Sequence, residues 1–384
     1  MRHHNSVFHD LLKRLPWAEF DRLVGVYGAD RRVRRLPTKA QLIALLYGQL
    51  SGAVSLREIV GGLESHSVRL YHLGGRTVSR STLADANGLR PSAVFSELFT
   101  AVAAQARRGL RRKIGEAVYL IDATSVRMSG SGSQWARFSA KACGAKVHVI
   151  YDAQDERPIY AAVTPAKVND ITVAQSMPIE AGATYVFDLA YYDFRWWAKM
   201  DAAGCRIVTR FKSHTPLTVR AEREVPEGSN ILSYRIGLLP RRQNRSRKNP
   251  FSSPVREVRV RTETGKVLRI LCNDLDAPAQ EIAHLYKRRW AIELFFRWVK
   301  QTLKIRHFLG TSENAVRIQV AVALIAYLLL RIAQADQKTV QSPLAFARLV
   351  RVNLMHRKRI DQLLNPLTRP PPNQTQMHLE LALA

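Results

Sequence analysis

The sequence predicts an α/β protein in which a mixed sheet is flanked by helices, with a helical N-terminal domain and a β-rich insertion. Two observations carry this reading. From Glu116 onward, short runs rich in Val, Ile, Tyr and Thr alternate with helical stretches and are bounded by Gly, Asp or Pro. Before that point the chain shows helical periodicity and capping signals instead.

Residues 1–113 read as the helical domain. "PTKAQLIALLYGQL" offers Thr38 and Gln41 as a capping box, "SLREIVGGL" repeats the device with Ser55 and Glu58, and "SGAV" separates the two segments. Such a pair fits a helix-turn-helix DNA reader or a small bundle of another purpose. The basic stretch from Arg107 to Lys113 marks the boundary. Residues 114–212 open the core, with strands at "AVYLIDATSVRM", "AKVHVIYD", "RPIYAAVTPAK", "TYVFDLAYY" and "CRIVTRFK". Helices at "DITVAQSMPIEAG" and "DFRWWAKMDAAG" give the order β-β-β-α-β-α-β. Residues 213–270 form the β-rich insertion and carry the loop "PRRQNRSRKNP", either a DNA contact or a solvated surface run. Residues 271–310 complete the core with "LYKRRWAIELFFRWVKQTLKI", read as one helix. Residues 311–384 add a buried apolar helix, a further basic helical stretch and a loose tail containing "RPPPNQ".

Composition narrows the partners. The chain has 384 residues, 46% of them apolar, which suits a folded protein of two or three domains. Its 59 Lys and Arg against 31 Asp and Glu leave a net charge of +28, which points to a polyanion, above all nucleic acid. Cys143, Cys205 and Cys272 are far apart and lack metal-ligand spacing, so neither a disulfide framework nor a zinc site is implied and a reducing, cytoplasmic setting is expected. No signal peptide is expected from "MRHHNSVFHDLLKRLPW", and the apolar run Val320–Leu330 covers about half of the roughly 20 residues of a membrane span.

Three carboxylates stand out. Asp122 in "VYLIDATSV" and Asp188 in "YVFDLAYY" each follow a run of strand-forming residues. An ionised carboxylate there needs a cation, a helix end or a metal ion to offset its desolvation. Glu293 is the only acid in "LYKRRWAIELFFRWVKQTLKI". At about 100° per residue, Tyr286, Arg289, Glu293 and Lys300 fall within roughly 60° of one another, with Arg297 and Lys304 beside them. Trp290, Ile292, Leu294, Phe295, Phe296, Trp298, Val299 and Leu303 cover most of the remaining circumference. A helix buried on most sides, with a narrow polar stripe facing a cleft, accounts for these proportions, although Arg289 and Arg297 could also make Glu293 part of a salt-bridge ladder.

The spacing of those four residues, Y-x2-R-x3-E-x6-K, resembles the signature of DDE insertion-sequence transposases of the YREK type, bacterial enzymes with a ribonuclease-H-like core. "LIDATSV" and "FDLAYYDF" look like that family's two aspartate strands, and "VTRFK" and "SRSTLADAN" are similar as well. The resemblance runs from about Ser79 to Lys304 and implies a ribonuclease-H-like mixed sheet. It implies Asp122, Asp188 and Glu293 as the catalytic, metal-binding acids, holding two divalent cations, usually Mg2+, with Mn2+ as a substitute. Hard oxygen ligands favour those ions over zinc, and a pair of them about 4 Å apart suits in-line phosphoryl displacement. It further implies double-stranded DNA as partner, at the element's inverted repeats and at the target, bound by a homodimer. Tyr286, Arg289, Lys300 and Arg297 would then meet phosphates, with Arg210, Lys212, Arg241, Arg242, Arg245, Arg247 and Lys248 as further contacts. Asp193, five residues beyond Asp188, is the rival acid but reads as a helix N-cap, and Asp152 and Asp170 read as turn or cap residues. An inactive DNA-binding descendant and a site-indifferent nuclease are the alternative functions.

Overall fold

The computed structural model describes residues 6–106, 117–139, 142–225, 227–242, 247–303, 308–337, 340–357 and 360–363. Arg245, the stretch Arg107–Lys113, Lys304 and the tail after residue 363 lie outside the described residues. The helical region comprises α1 (Val7–Leu12), α2 (Trp17–Val26), α3 (Thr38–Ser51), α4 (Leu56–Ser65), α5 (Ser67–Leu73), α6 (Arg80–Leu89) and α7 (Ser92–Gln105). The capping device forms at α4 in modified shape: Ser55 Oγ accepts from Glu58 N at 3.1 Å, and the Glu58 carboxylate accepts from Val54 N, one residue before the cap, at 2.9 Å. It does not form at α3. There the Asp30 carboxylate accepts from both the amide and the hydroxyl of Thr38, and Gln41 turns inward to bond Asn87. The two helices touch closely, since a Cβ on Gly48 would lie 2.4 Å from the Ile59 side chain. Because α3 is buried almost along its whole length, only α4 of this pair offers an exposed face.

Nine strands form one sheet in the order β3-β2-β1-β4-β5-β9-β8-β7-β6. They are β1 (Val118–Met128), β2 (Cys143–Asp152), β3 (Arg157–Pro165), β4 (Thr184–Phe187), β5 (Arg206–Arg210), β6 (Thr218–Arg223), β7 (Ile231–Leu238), β8 (Val255–Arg261) and β9 (Val267–Cys272). β1, β4 and β5 run parallel, and every other pairing is antiparallel. The first five strands therefore make the antiparallel meander followed by parallel strands that a ribonuclease-H-like core requires. The strands within residues 213–270 continue the same sheet through β9 rather than starting a second layer.

Side-chain alternation splits the core across the sheet. Val118, Leu120, Val147, Val149 and Val186 face one side, against α7, α11 (Trp290–Thr302) and α12 (Glu313–Ala335). Tyr119, Ile121, Ile150, Tyr185 and Phe187 face the other, against α8 (Asp170–Ala174) and α9 (Phe194–Ala202), whose Trp196 and Trp197 are almost wholly buried. Helix α12 meets the length and composition of a membrane span, yet 89% of its most apolar window is buried inside the fold, so it serves as a core helix. Helix α10 (Ala279–Arg288) leads into α11, and α13 (Pro343–Asn353) and α14 (Ile360–Leu363) follow α12.

Polar groups buried beside the parallel strands carry a pH signature. His148 is fully buried, with Nε2 2.8 Å from Thr164 Oγ1 and Nδ1 3.6 Å from Asp170, which also accepts from Lys146 Nζ at 2.9 Å. Burial, partly offset by Asp170 and reinforced by Lys146, pushes its pKa down from 6.5 to about 4. Between those values the unfolded chain takes up a proton that the folded chain refuses. Stability present above the unfolded pKa is thus lost as pH falls towards the folded one, by about 3 kcal/mol at pH 4. Urea midpoints should fall more steeply from neutral to about pH 4.5 for the wild type than for His148→Gln. Parallel curves would show that His148 does not titrate this way.

Candidate active site

Parallel pairing brings two of the predicted acids together. Ile121 is in register with Phe187 across β1 and β4, so Asp122 and Asp188 are the next residues on neighbouring strands. They stand at the carboxyl ends of the parallel β4 and its β1 pairing, the usual location for a site in an open α/β sheet. Asp122 Oδ1 accepts from Ala123 N at 2.7 Å, and Asp188 Oδ1 accepts from Ala190 N at 2.8 Å, capping the 3-10 turn Leu189–Tyr191.

Glu293 stands on α11, which packs onto the sheet through Phe295, 5.0 Å ring to ring from Tyr151. The expected single helix is two, α10 and α11, joined at Arg289. The junction is tightened by i to i−3 bonds from Arg289 N to Tyr286 O and from Ile292 N to Arg289 O. One guanidinium spans the acids. Arg289 Nη2 donates to Glu293 Oε1 at 2.5 Å, and Nη1 lies 3.7 Å from Asp122 Oδ2.

The electrostatics follow from crowding. Burial pushes the pKa of Asp122 up to about 6, and the charges of Asp188 and Glu293 push the same way against the Ala123 amide and Arg289. Burial opposes the charge of Arg289, but Tyr286, Glu293 and Asp122 outweigh it and its pKa is raised. Burial likewise raises Tyr286, whose hydroxyl lies in the field of Arg289, Arg210 and Asp188.

The remaining candidates spread outward from this centre. Arg210 ends β5, and its buried Nε has no hydrogen-bond partner among the described residues; the same holds for Nε of Arg289. Lys212 rests over the Tyr192 ring at 4.5 Å. Lys300 is half-buried on α11, whereas Arg297 is exposed and lies 6.0 Å from the Trp290 ring. Trp290 and Leu294 are themselves 50% and 46% exposed, so α11 is less enclosed than its apolar content implied. Its apolar residues outnumber what one sheet face can cover. Arg241, Arg242, Arg247 and Lys248 are exposed, with Arg242 bridged to Lys248 and Arg247 3.7 Å from Asp193.

The rival acids have other work. Asp193 caps α9 by accepting from Trp196 N at 2.9 Å, and Asp152 accepts from Gln154 N and Asp155 N in a turn. Asp170 starts α8 but spends its carboxylate on Lys146 rather than on a cap. Sequence reasoning paired Arg289 with Glu293 but passed over its contact with Asp122, for which no local pattern gives a signal.

Comparison with known proteins finds relatives of this chain. The family model described as the transposase DDE domain matches residues 113–329, and residues 3–76 match a domain of unknown function. A Sinorhizobium fredii protein named as a transposase is 40% identical over 292 residues, 76% of this chain and 80% of its own. A Geobacillus stearothermophilus protein named as a transposase for an insertion sequence element is 29% identical over 266 residues, 68% of this chain and 69% of its own. A solved piggyBac transposase synaptic complex with hairpin DNA shows a distant likeness, with 13% identity and a TM-score of 0.43 over 98% of this chain and 83% of that one. With the domain matched over more than half of its length, and a relative of that closeness, the chain belongs to the DDE transposase family, enzymes that act on DNA.

Proposed function

We propose that this transposase, of the YREK type, hydrolyses a phosphodiester at each end of its own element and joins the freed 3′-hydroxyl to target DNA, using Asp122, Asp188 and Glu293. The observation that carries the proposal is the single guanidinium of Arg289 shared by Asp122 and Glu293, beside the strand end that bears Asp188.

The family's domain implies a divalent metal, and the residues fit one. All three side chains are hard oxygen donors, and Asp122 is pushed up to about 6 by burial and by its carboxylate neighbours, so the group of acids lacks positive charge. Arg289 supplies part of that charge. As the side chains stand, no three His, Cys, Asp or Glu among the described residues converge on one ion, so Arg289 has to release its acids. Two Mg2+ ions, or Mn2+, held by Asp122, Asp188 and Glu293 would supply Lewis-acid activation of the attacking oxygen and stabilisation of the leaving one.

The chain's own groups position the DNA. Arg289, once free of Glu293, and Arg210 each present a buried Nε donor that lacks an acceptor among the described residues, and a phosphate oxygen meets that need. Tyr286 adds a hydroxyl, Lys300 and Arg297 extend the charge along α11, and Lys212 with Arg241, Arg242, Arg247 and Lys248 continues it towards flanking duplex. Both element ends must be cut and joined to one target, which is the reason to read the working form as a homodimer on DNA.

The test uses labelled duplexes bearing the terminal inverted repeat or a scrambled sequence, with Mg2+ or with chelator. Nicking and joining are expected only for the repeat with Mg2+. Equal cleavage of both duplexes without joining would make the protein a nuclease, and binding without cleavage would make it an inactive descendant.

A further inference from the structure

Six arginines gather on one face of the helical region with no acid to answer them. Arg31, Arg32, Arg34 and Arg35 stand in the segment between α2 and α3, and Arg76 and Arg80 stand at the entry to α6. All six are exposed, and none makes an ion pair among the described residues. Hydrogen bonds hold the two segments together. Arg76 Nη1 donates to Arg35 O at 3.3 Å, and Arg90, just past α6, donates through Nη2 to Leu36 O at 2.7 Å. The segment 31–36 is thus tied to the chain on either side of α6. Arg32 has a φ of 62°, in the left-handed region that a residue other than glycine adopts only at a cost. Like charges gathered in this way repel one another until a polyanion offsets them.

Helix α6 is held firmly from behind. Leu83 and Ala86 are buried, Asn87 Oδ1 accepts from Gln41 Nε2 on α3 at 2.8 Å, and Asn314 on α12 donates to Asn87 O and Arg90 O at 3.0 Å and 2.6 Å. Its outer face is free. Arg80, Ser81, Asp85 and Gly88 are exposed there, and a Cβ added to Gly88 would meet nothing within 4 Å. Ser81, Asp85 and Gly88 follow one another at four and three residues, which sets them on one stripe. Short side chains along that stripe let the helix lie close to a surface, and an α-helix fits the major groove of duplex DNA. Phosphate contacts fix the register of a protein on DNA, while side chains at the base edges supply the specificity. This face carries both kinds of group.

We infer that α6 reads the terminal repeat of the element from the major groove, with Arg80 and Ser81 at the base edges. Arg31, Arg32, Arg34, Arg35 and Arg76 hold the phosphates beside it. The α3 and α4 pair expected from the sequence cannot present α3, which is buried almost along its whole length. The inference rests on the proposed action of the chain on its own element's ends. It gives part of the matched domain of unknown function, residues 3–76, a phosphate-binding role.

The test measures binding of the full chain to labelled duplexes bearing the terminal repeat or a scrambled sequence, with chelator present and salt varied. Arg34→Gln combined with Arg35→Gln should weaken binding to both duplexes and lower the slope of log affinity against log salt by about 2, since each neutralised phosphate contributes about 0.9. Arg80→Ala should bind the repeat about tenfold more weakly and leave the scrambled duplex unaffected. Arg22→Gln is the control, because Arg22 is exposed but already paired with Glu19 at 2.6 Å, and it should bind as the wild type does. All these side chains are exposed, so unfolding temperatures should match the wild type's. An unchanged slope in the double variant would overturn the phosphate role, and equal losses on both duplexes in Arg80→Ala would overturn the reading role. If the wild type prefers the repeat and every variant keeps that preference and affinity, the inference alone fails. If the wild type holds both duplexes equally, action on its own element's ends fails and takes the inference with it.

Discussion

Glu293→Gln is expected to bind end DNA as the wild type does and to lose nicking and strand joining by at least about 10^3-fold. The substitution keeps the size of the side chain and its hydrogen-bonding oxygen, so α11 keeps its seat on the sheet. What disappears is one negative charge in a group where burial and repulsion already push Asp122 up to about 6. The Asp122 repulsion is relieved, and the pull on divalent ions weakens. Arg289, whose shortest ion pair is the 2.5 Å contact to Glu293, is left with Asp122 at 3.7 Å and is freer to meet phosphate. Equilibrium binding to labelled end DNA and single-turnover cleavage with Mg2+ measure the two halves separately. Cleavage by the variant at the wild-type rate would refute the assignment of Glu293.

Arg256→Met is expected to lower stability by about 3–5 kcal/mol, the usual cost of stripping one partner from a buried charged network. Arg256 on β8 is fully buried. Its guanidinium donates to the carbonyls of Ala277 and Asp274, lies 3.9 Å from the Asp274 carboxylate and stacks 4.8 Å from the Tyr234 ring. Methionine preserves the apolar stem but takes the Arg256 donors away from two half-buried carbonyls. These carbonyls belong to the turn that feeds α10, and α10 carries Tyr286 up to Arg289. The loss should appear as a lower urea midpoint and, in the surviving folded fraction, as weaker end-DNA cleavage with binding less affected. An unchanged midpoint would mean that water satisfies the turn and that the network is dispensable.

The two halves of the molecule differ in how far the sequence could be read. The first five strands and helix α9 were legible because their patterns are local, whereas of the helix expected over "DITVAQSMPIEAG" only Asp170–Ala174 formed. The cap at Ser55 was legible for the same reason, and the one expected at Thr38 was not. The two are identical as local patterns, but at Thr38 a distant carboxylate, Asp30, reaches the amide first. The break at Arg289 was hidden because every residue around it favours helix. The exposure of Trp290 was hidden because hydrophobicity reports a preference for burial and not the area available to satisfy it.

The sequence by itself determined the kinds of group at the candidate site: two aspartates that follow strand-forming runs, although Asp122 proved to lie inside β1 rather than at its end, and an acid on a cationic stretch at a spacing that sets Glu293 and Lys300 on one face of α11. Backbone periodicity fixes such relations, since residues a few positions apart are bound to share a face. Only the tertiary structure decided that β1 and β4 pair in parallel so that Asp122 and Asp188 adjoin, and that Arg289 reaches Asp122 on β1 as well as Glu293 on its own stretch of chain. In those relations Asp122 lies about 70 positions from Asp188 and about 170 from Arg289. No local rule encodes them, because they depend on which surfaces remain to be covered once every element is in place.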